Sequence, residues 1–323
     1  MNKLLGTVLT STLTISLLAG CGSTSSNTKK VGIIQFMDHT SLNEIKDSFD
    51  GEMKKLGYND KNVEYTFKNG QGDTNTCASI ANDFAGKDFD CVMAIATPAA
   101  QAVAKLASKT PVVFAAVTDP VGAQLTSSLT KPDKNITGTS DEVQVDQIID
   151  KALEVDPNLK TLGMLYNKGE ANSVTNIKKA KEYCAKKNIK VEEATIASVN
   201  EAQSAINVLN SKCDAVFAPN DNTVASAMNV VSEACNKEGK PLYVGADSMV
   251  KDGGFLSVGI DYKELGKETA KIVDQILKGK NVKNIPVKVF KTNLKIYVNK
   301  DTTDKLGMKL PETITNDSKY TEI

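Results

Sequence analysis

Two Rossmann-like α/β lobes, each a doubly wound sheet, joined by a hinge, are the fold that the sequence predicts. Three observations lead there. Short apolar runs of strand length alternate with longer patterns of helical period, which is the rhythm of parallel sheets covered by helices. The rhythm restarts after NITG at 135–138, and a last segment too small for a domain follows the second run. At 323 residues, with 41% hydrophobic and 24% charged residues, the chain has the size for about two domains and the composition of a globular protein.

In the first run, VGIIQF (31–36) reads as a strand and 41–56 as a helix that Gly57 ends. NVEYTFKNG (62–70) is the second strand, TNTCASIANDFAG (74–86) a helix closed by Gly86, and CVMAIA (91–96) the third strand. Thr97-Pro98 then opens a helix over 98–108, because Pro is pre-organised for the first helical position. PVVFAAV (111–117) is the fourth strand. In the second run a helix near 143–154 ends at Asp156-Pro157. TLGMLYN (161–167), KVEEATI (190–196), DAVFAP (214–219), PLYVGA (241–246) and FLSVGI (255–260) are strands, with helices at 171–187, 200–210 and 222–237 between them. A helix at 262–278 and strands near 286–298 cross back to complete both lobes. The lobes are therefore expected at 31–138 with 260–290, and at 139–259 with 291–323.

The first thirty residues stand apart from this rhythm. Lys3 precedes the apolar stretch LLGTVLTSTLTISLL, which is too short and too rich in Thr and Ser for a comfortable membrane span. Residues 1–20 read as a signal peptide. Leu18-Ala19-Gly20-Cys21 resembles a bacterial lipobox, with Cys21 lipidated as the first mature residue and 21–30 as a polar tether. That resemblance implies a protein held outside the cytoplasm by a lipid anchor alone.

Lys and Arg balance Asp and Glu at 39 each, so nothing points to nucleic acid or an anionic surface as partner. Every one of the 39 basic residues is Lys. An anionic ligand must then be held by Lys, hydroxyls or backbone N–H groups, without the bidentate fork of Arg. Beyond Cys21, the thiols Cys77, Cys91, Cys184, Cys213 and Cys235 form no C-x-x-C, and with one His a metal site is not expected. They read as buried thiols; the alternative is one disulfide, Cys184–Cys213 or Cys213–Cys235.

Ligands of open α/β sheets bind beyond the carboxyl ends of the strands, and two such lobes face those ends across a cleft. The first lobe offers Phe36, Asp38 and His39; then Thr97, Ala99 and Ala100; then Thr118, Asp119 and Pro120. The second offers Ser140 and Asp141, Tyr166 and Asn167, then Asn220, Asp221 and Asn222, then Asp247 and Ser248; the last crossing offers Gly259 and Asp261. The Thr97 hydroxyl is expected to cap its helix and leave the N–H groups of Ala99 and Ala100 for a small carboxylate. Asp221 is a candidate partner for an ammonium group, with N-capping as the plainer alternative. Asp247 is its rival and Asp261 serves either lobe. Asp119 reads as a turn residue. Phe36 and Tyr166 end the first strand of each lobe, so they are either core or a matched pair of cleft aromatics. His39, the lone His, is a loop residue or a ligand contact.

Enzyme signatures are missing. There is no G-x-S-x-G elbow, Walker A, H-E-x-x-H or G-x-G-x-x-G, and a Ser/His/Asp triad would have to use His39. The scattered polar groups suit holding a ligand, with no cofactor and no metal.

FAAVTDPVGAQLTSSLTKPDKNITGTSD (114–141), TLGMLYNKGEANSV (161–174) and VGIDYKELGKETAKIVDQIL (258–277) resemble signatures of a family of ABC-transporter substrate-binding lipoproteins. That family has the type I periplasmic-binding-protein fold, and some members bind tryptophan, tyrosine or phenylalanine. The resemblance implies a ligand carboxylate at Thr97 with help from Thr118, an ammonium at Asp221, and Phe36 in the side-chain pocket. It further implies a monomer that captures ligand, closes and docks on a permease, with ATP hydrolysed by a separate subunit. Gln124 departs from the pattern, which has Gly there. A branched-chain amino acid, a nucleoside or a small carboxylate are the other ligands compatible with the fold, and a ligand-sensing lipoprotein is the other role.

Overall fold

The computed structural model describes residues 28–323 other than 291 and 293. The expected signal peptide and Cys21 lie outside the described residues. In chain order the first sheet receives β1 (Lys29–Gln35), β2 (Val63–Asn69), β3 (Cys91–Ile95), β4 (Val112–Ala115) and β5 (Ile136–Ser140). Between them run α1 (Thr40–Lys55), α2 (Thr74–Ala85) and α3 (Thr97–Val103). The chain then crosses into α4 (Val145–Val155), β6 (Thr161–Tyr166), α5 (Ala171–Lys186), β7 (Lys190–Thr195), α6 (Ala202–Asn210) and β8 (Ala215–Ala218). α7 (Asn222–Ser226), α8 (Met228–Lys237), β9 (Leu242–Val244), α9 (Asp247–Lys251) and β10 (Leu256–Gly259) complete that run. The last part holds α10 (Tyr262–Leu277), β11 (Lys288–Val289), β12 (Lys295–Val298), α11 (Lys300–Leu306), α12 (Glu312–Thr315) and β13 (Tyr320–Glu322).

Two α/β sheets result. The first has the order β11-β5-β4-β3-β1-β2, and the second the order β13-β12-β10-β9-β8-β6-β7. All pairings are parallel except that of β10 with β12. The physical cause is visible in β3, whose five residues are all buried because helices cover both faces. Val92, Met93 and Ile95 there each contribute about 1.5–3 kcal/mol by burial. The final segment serves both sheets, since β11 pairs with β5 while β12 pairs with β10. α10 returns to the first lobe and packs along α1. Gly266 permits that contact, because a Cβ there would stand 2.4 Å from the Ile45 carbonyl oxygen.

Some boundaries differ from expectation. Thr139 and Ser140, expected in the second lobe, extend β5 of the first sheet. The helix expected over 98–108 stops at Val103 and continues as a 3₁₀ turn over Ala104–Ser108. The helix expected over 222–237 breaks at Ala227, whose φ of −103° interrupts it. The strand expected over 111–117 ends at Ala115, because Ala116 turns to a positive φ of 56°. All five described cysteines are buried and free, so neither alternative disulfide forms.

The lobes are closed on each other. One apolar cluster runs without a break from the first lobe, through Leu42, Ala96 and Ala116, into Ala225 and Met249 of the second. The other face of the second sheet keeps its own core around Phe217, Tyr243 and Phe255. Among the described residues no helix is long and apolar enough to cross a membrane.

Candidate ligand-binding site

The strand ends meet at a small pocket between the lobes. His39, Ser41, Leu42, Ala96, Thr97 and Ala116 line it from the first lobe. Asn172, Asn220, Asp221, Asn222, Ala225 and Met249 line it from the second, and Asp141 and Tyr262 from the two crossings. Two wall residues carry backbone strain. Ala96 sits at φ 79° and Ala116 at φ 56°, where an L side chain is disfavoured. Strain of this kind persists only where the surroundings over-determine it, and it gathers at binding sites. Here it turns the chain sharply out of β3 and β4 toward the cleft.

That turn corrects the expected role of Thr97. Ala96 holds the cap position, and Thr97 is the first helical residue. The Thr97 hydroxyl therefore caps nothing and is left buried without a partner. Ala100 spends its N–H on the Ala96 carbonyl at 3.0 Å, so it is not available either. Ala99 lies fully buried in the first turn and is absent from the pocket walls.

Asp221 caps α7, with Oδ1 accepting the Val224 N–H at 2.8 Å. Its Oδ2 accepts the Asn167 N–H at 2.7 Å and the Ser173 hydroxyl at 2.6 Å. It also lines the pocket, so the capping role does not withdraw it from the cleft. Beside it lies Glu170, buried at the start of α5. Glu170 accepts from the N–H groups of Asn222 and Thr223, both at 3.1 Å, and from the Thr223 hydroxyl at 2.9 Å. Burial raises the pKa of both carboxyls, and the neighbouring Asp221 charge pushes Glu170 further, to about 8. Burial together with the neighbouring like charge favours one of the two carboxyls staying protonated.

Gly245 makes the Asn220–Asp221 corner possible. A Cβ at residue 245 would stand 2.4 Å from the Asn220 nitrogen. Asn220 then reaches across the cleft, its Nδ2 donating to Asp141 Oδ2 at 2.6 Å and to Thr118 Oγ1 at 2.8 Å. Asp141 also accepts from the Tyr262 hydroxyl at 2.8 Å and from Thr118 at 3.0 Å. Burial pushes its carboxyl up, and those hydrogen bonds oppose the shift.

Three buried polar atoms of the wall have no partner in the protein: Thr97 Oγ1, His39 Nδ1 and Asn172 Oδ1. Unpaired buried polar atoms are costly, so those carried by pocket-lining residues are candidate handles for a ligand. A wider open groove at the far end of the first sheet, lined by Lys30, Asp90 and Lys109, holds none of them.

The other expected residues stand elsewhere. Thr118 and Ser140 lie behind the wall, the Ser140 hydroxyl donating to the Thr118 carbonyl oxygen at 3.2 Å. Asn167 supports Asp221 from behind. Phe36 is buried in the core of the first lobe and is not a wall residue. Tyr166 packs on the outer core of the second lobe, its hydroxyl donating to Glu193 at 2.9 Å. Asp247 sits at the interlobe rim on Lys251, and Asp261 caps α10 through the Lys263 N–H. Asp119 closes its turn on the Gly122 N–H.

Over residues 30–321 the chain matches the family described as ABC transporter substrate binding protein. The chain belongs to that family. This substrate-binding protein is 34% identical over 321 residues to the tyrosine-binding protein of Clostridioides difficile strain R20291, covering 95% of this chain and 93% of the other. Its fold is similar to a Streptococcus pneumoniae domain solved in complex with L-Trp, at 38% identity, with 92% and 100% of the chains covered and a TM-score of 0.87. It is also similar to the ligand-free, open structure of a substrate-binding protein with adhesive properties from Clostridium difficile, at 35% identity, with 92% and 99% covered and a TM-score of 0.69. At nearly equal identity, the closed lobes of this substrate-binding protein thus match the L-Trp complex better than the open form.

Sequence reasoning missed several wall or support residues, Glu170, Asn172 and Tyr262 among them, and left Asn220 without a role. Glu170 is an acid at a helix start and Asn172 a first-turn polar residue, positions that carry no functional signal in the sequence alone. Tyr262 is far from Asp141 in the chain, so no local pattern joins them. Asn220 stood among the strand-end candidates without a role, although PNDN concentrates polar residues beside a helix start.

Proposed function

We propose that this substrate-binding protein captures an amino acid with an aromatic side chain in the interlobe pocket and delivers it to an ABC permease. The observation that carries the reading is that Thr97, Asn172 and His39 all line that pocket and each keeps a buried polar atom, Oγ1, Oδ1 and Nδ1, without a partner in the protein. The Thr97 hydroxyl donates to the ligand carboxylate, which suits a chain with no Arg. The ammonium lies between Asn172 Oδ1 and Asp221, whose raised pKa falls back when a cation pairs with it. Leu42, Met249 and the three wall alanines form the apolar bed for the side chain, with the Tyr262 ring beside it. The Tyr- and Trp-binding relatives support the aromatic class.

In the same reading Cys21 carries the lipid, and the protein works outside the cytoplasm as a monomer tied to the membrane by that anchor. Closure around the ligand creates the form that docks on the permease, with ATP hydrolysis by a separate subunit driving release. The role is capture and delivery, without chemistry on the ligand.

A thermal-shift screen of the ligand-stripped full chain against the twenty amino acids and a nucleoside set tests this. Ligand at 100 times its dissociation constant adds about 2.7 kcal/mol of stability. Shifts confined to Trp, Tyr or Phe support the proposal. Shifts with nucleosides alone, or with no amino acid, sink it.

A further inference from the structure

His39 is the only histidine in the chain, and it spans the cleft to Asn222. The direction of that bond follows from what holds Asn222. Glu170 Oε2 accepts from the Asn222 side-chain nitrogen, from the Asn222 N–H at 3.1 Å and from Asn172 Nδ2 at 3.4 Å. Oε2 already accepts the Asn222 backbone N–H, so it is a bare oxygen even when the carboxyl holds a proton on Oε1; it accepts from an amide nitrogen and repels an amide oxygen, and the Asn222 amide therefore turns Oδ1 away from Glu170. That Oδ1 stands 3.1 Å from His39 Nε2 and carries no proton. Nε2–H is therefore the donor. A neutral imidazole has one ring proton, so Nδ1 keeps a bare lone pair. The imidazole stays neutral near neutral pH, because burial lowers its pKa to about 4 against the raising effects of Asn222 and Asp38. Nδ1 is buried, unpartnered and part of a pocket wall residue.

We infer that His39 Nδ1, oriented through Asn222 and Glu170, is a fixed acceptor that selects ligands whose side chain carries an O–H or N–H donor, a phenol or an indole, over a plain benzyl group. The inference rests on the amino-acid reading above. A benzyl side chain leaves Nδ1 buried and unpaired, and a site built around such a bond rejects the analogue that lacks the donor. Glu170 and Asn222 are positioning residues, acting only through the ring.

Calorimetric titration of the ligand-stripped full chain with L-Tyr, L-Trp and L-Phe, joined to nitrogen NMR of the His39 imidazole, tests it. In the free protein Nδ1 is expected to show the shift of an unprotonated ring nitrogen, and that shift moves when a donor ligand binds. L-Tyr or L-Trp is expected to bind at least about ten-fold more tightly than L-Phe. His39→Leu brings the gap to within about two-fold by weakening the donor ligand alone, and His39→Gln, whose amide oxygen accepts, restores part of it. A protonated Nδ1 in the free protein overturns the inference. So does a His39→Leu variant that folds but weakens all three ligands equally. If the wild type binds none of the three, the proposed function fails, and the NMR shift alone then decides whether Nδ1 is the acceptor.

Discussion

Lys251 Nζ in the second lobe stands 3.0 Å from Glu44 Oε1 in the first, while holding Asp247 of its own α9 at 2.9 Å. This bridge lies at the rim, outside the ligand pocket. It works beside the Ser41–Ser248 hydroxyl contact and the Ser226 hydroxyl on the Asp38 carbonyl oxygen, so closure has protein-only contacts of its own. Lys251→Met is expected to favour opening. The pair is partly exposed, so the loss is about 0.5–1 kcal/mol, or roughly two- to five-fold in ligand affinity, and smaller at high salt. Ligand off-rates measured at two salt concentrations check this.

Thr97→Val should act in opposite directions on stability and binding. The hydroxyl is buried and unpaired in the free protein, so its removal leaves stability unchanged or raises it slightly. Ligand affinity falls by about 1 kcal/mol, the worth of one hydrogen bond. Urea unfolding without ligand and calorimetry with it separate the two effects; a variant that loses both equally would assign Thr97 a purely structural role.

Asp221→Ala is expected to lower affinity for an amino acid by about 2–5 kcal/mol, as loss of one partner of a buried charge pair does. The same change removes the α7 cap and should cost about 0.5–2 kcal/mol of stability. Unchanged affinity in a folded variant moves the ammonium partner to Asp141.

Gln124 sits at φ 61°, the left-handed region that favours glycine. The departure from the family pattern is therefore a strained position. Gln124→Gly should stabilise the protein by about 0.5–1 kcal/mol and leave binding alone, since residue 124 is not a wall residue. A rise in melting temperature without change in affinity is the expected result.

Stability should fall as pH rises from about 6.5 to about 8, because Glu170 is raised from 4.5 to about 8 and must ionise in a buried site. A raised carboxyl pKa means that the folded state binds the proton more tightly, so the contribution is complete below 4.5 and lost on passing about 8. His39, lowered from 6.5 to about 4, works in the other sense and costs stability as pH falls between those values. The two oppose each other at mildly acid pH; above it the His39 effect is spent, and Glu170 acts in the same sense as Asp141, Asp221 and Asp247, which burial also raises, each with a slope of at most about 1.4 kcal/mol per pH unit. Urea unfolding on either side of neutrality measures the slope, and Glu170→Gln should reduce it.

The legible part of the fold was the local part. A run such as Cys91–Ile95 buries every side chain, and a helix such as Thr74–Ala85 shows its apolar stripe within twelve residues. Strand ends were legible as well, because they follow from the strands, and the position of Asp221 beside a helix start announced its cap. The pairing of Phe36 with Tyr166 misled. Both end a first strand, but one is sealed in the first-lobe core and the other lies on the outer face of the second sheet.

By itself the sequence determined the α/β rhythm, the two lobes, the Arg-free chemistry and the family, since each is written in neighbouring residues or in composition. Only the tertiary structure decided which strand-end groups meet. His39 and Asn222 are separated by 183 positions and Tyr262 and Asp141 by 121; the first contact depends on how the lobes close and the second on how α10 folds back onto the first sheet. The polarity of His39 is likewise set at a distance, by a carboxyl in the other lobe that orients an amide. Hydrogen bonds act over about 3 Å, and no chain-local pattern encodes a distance between residues so far apart in sequence.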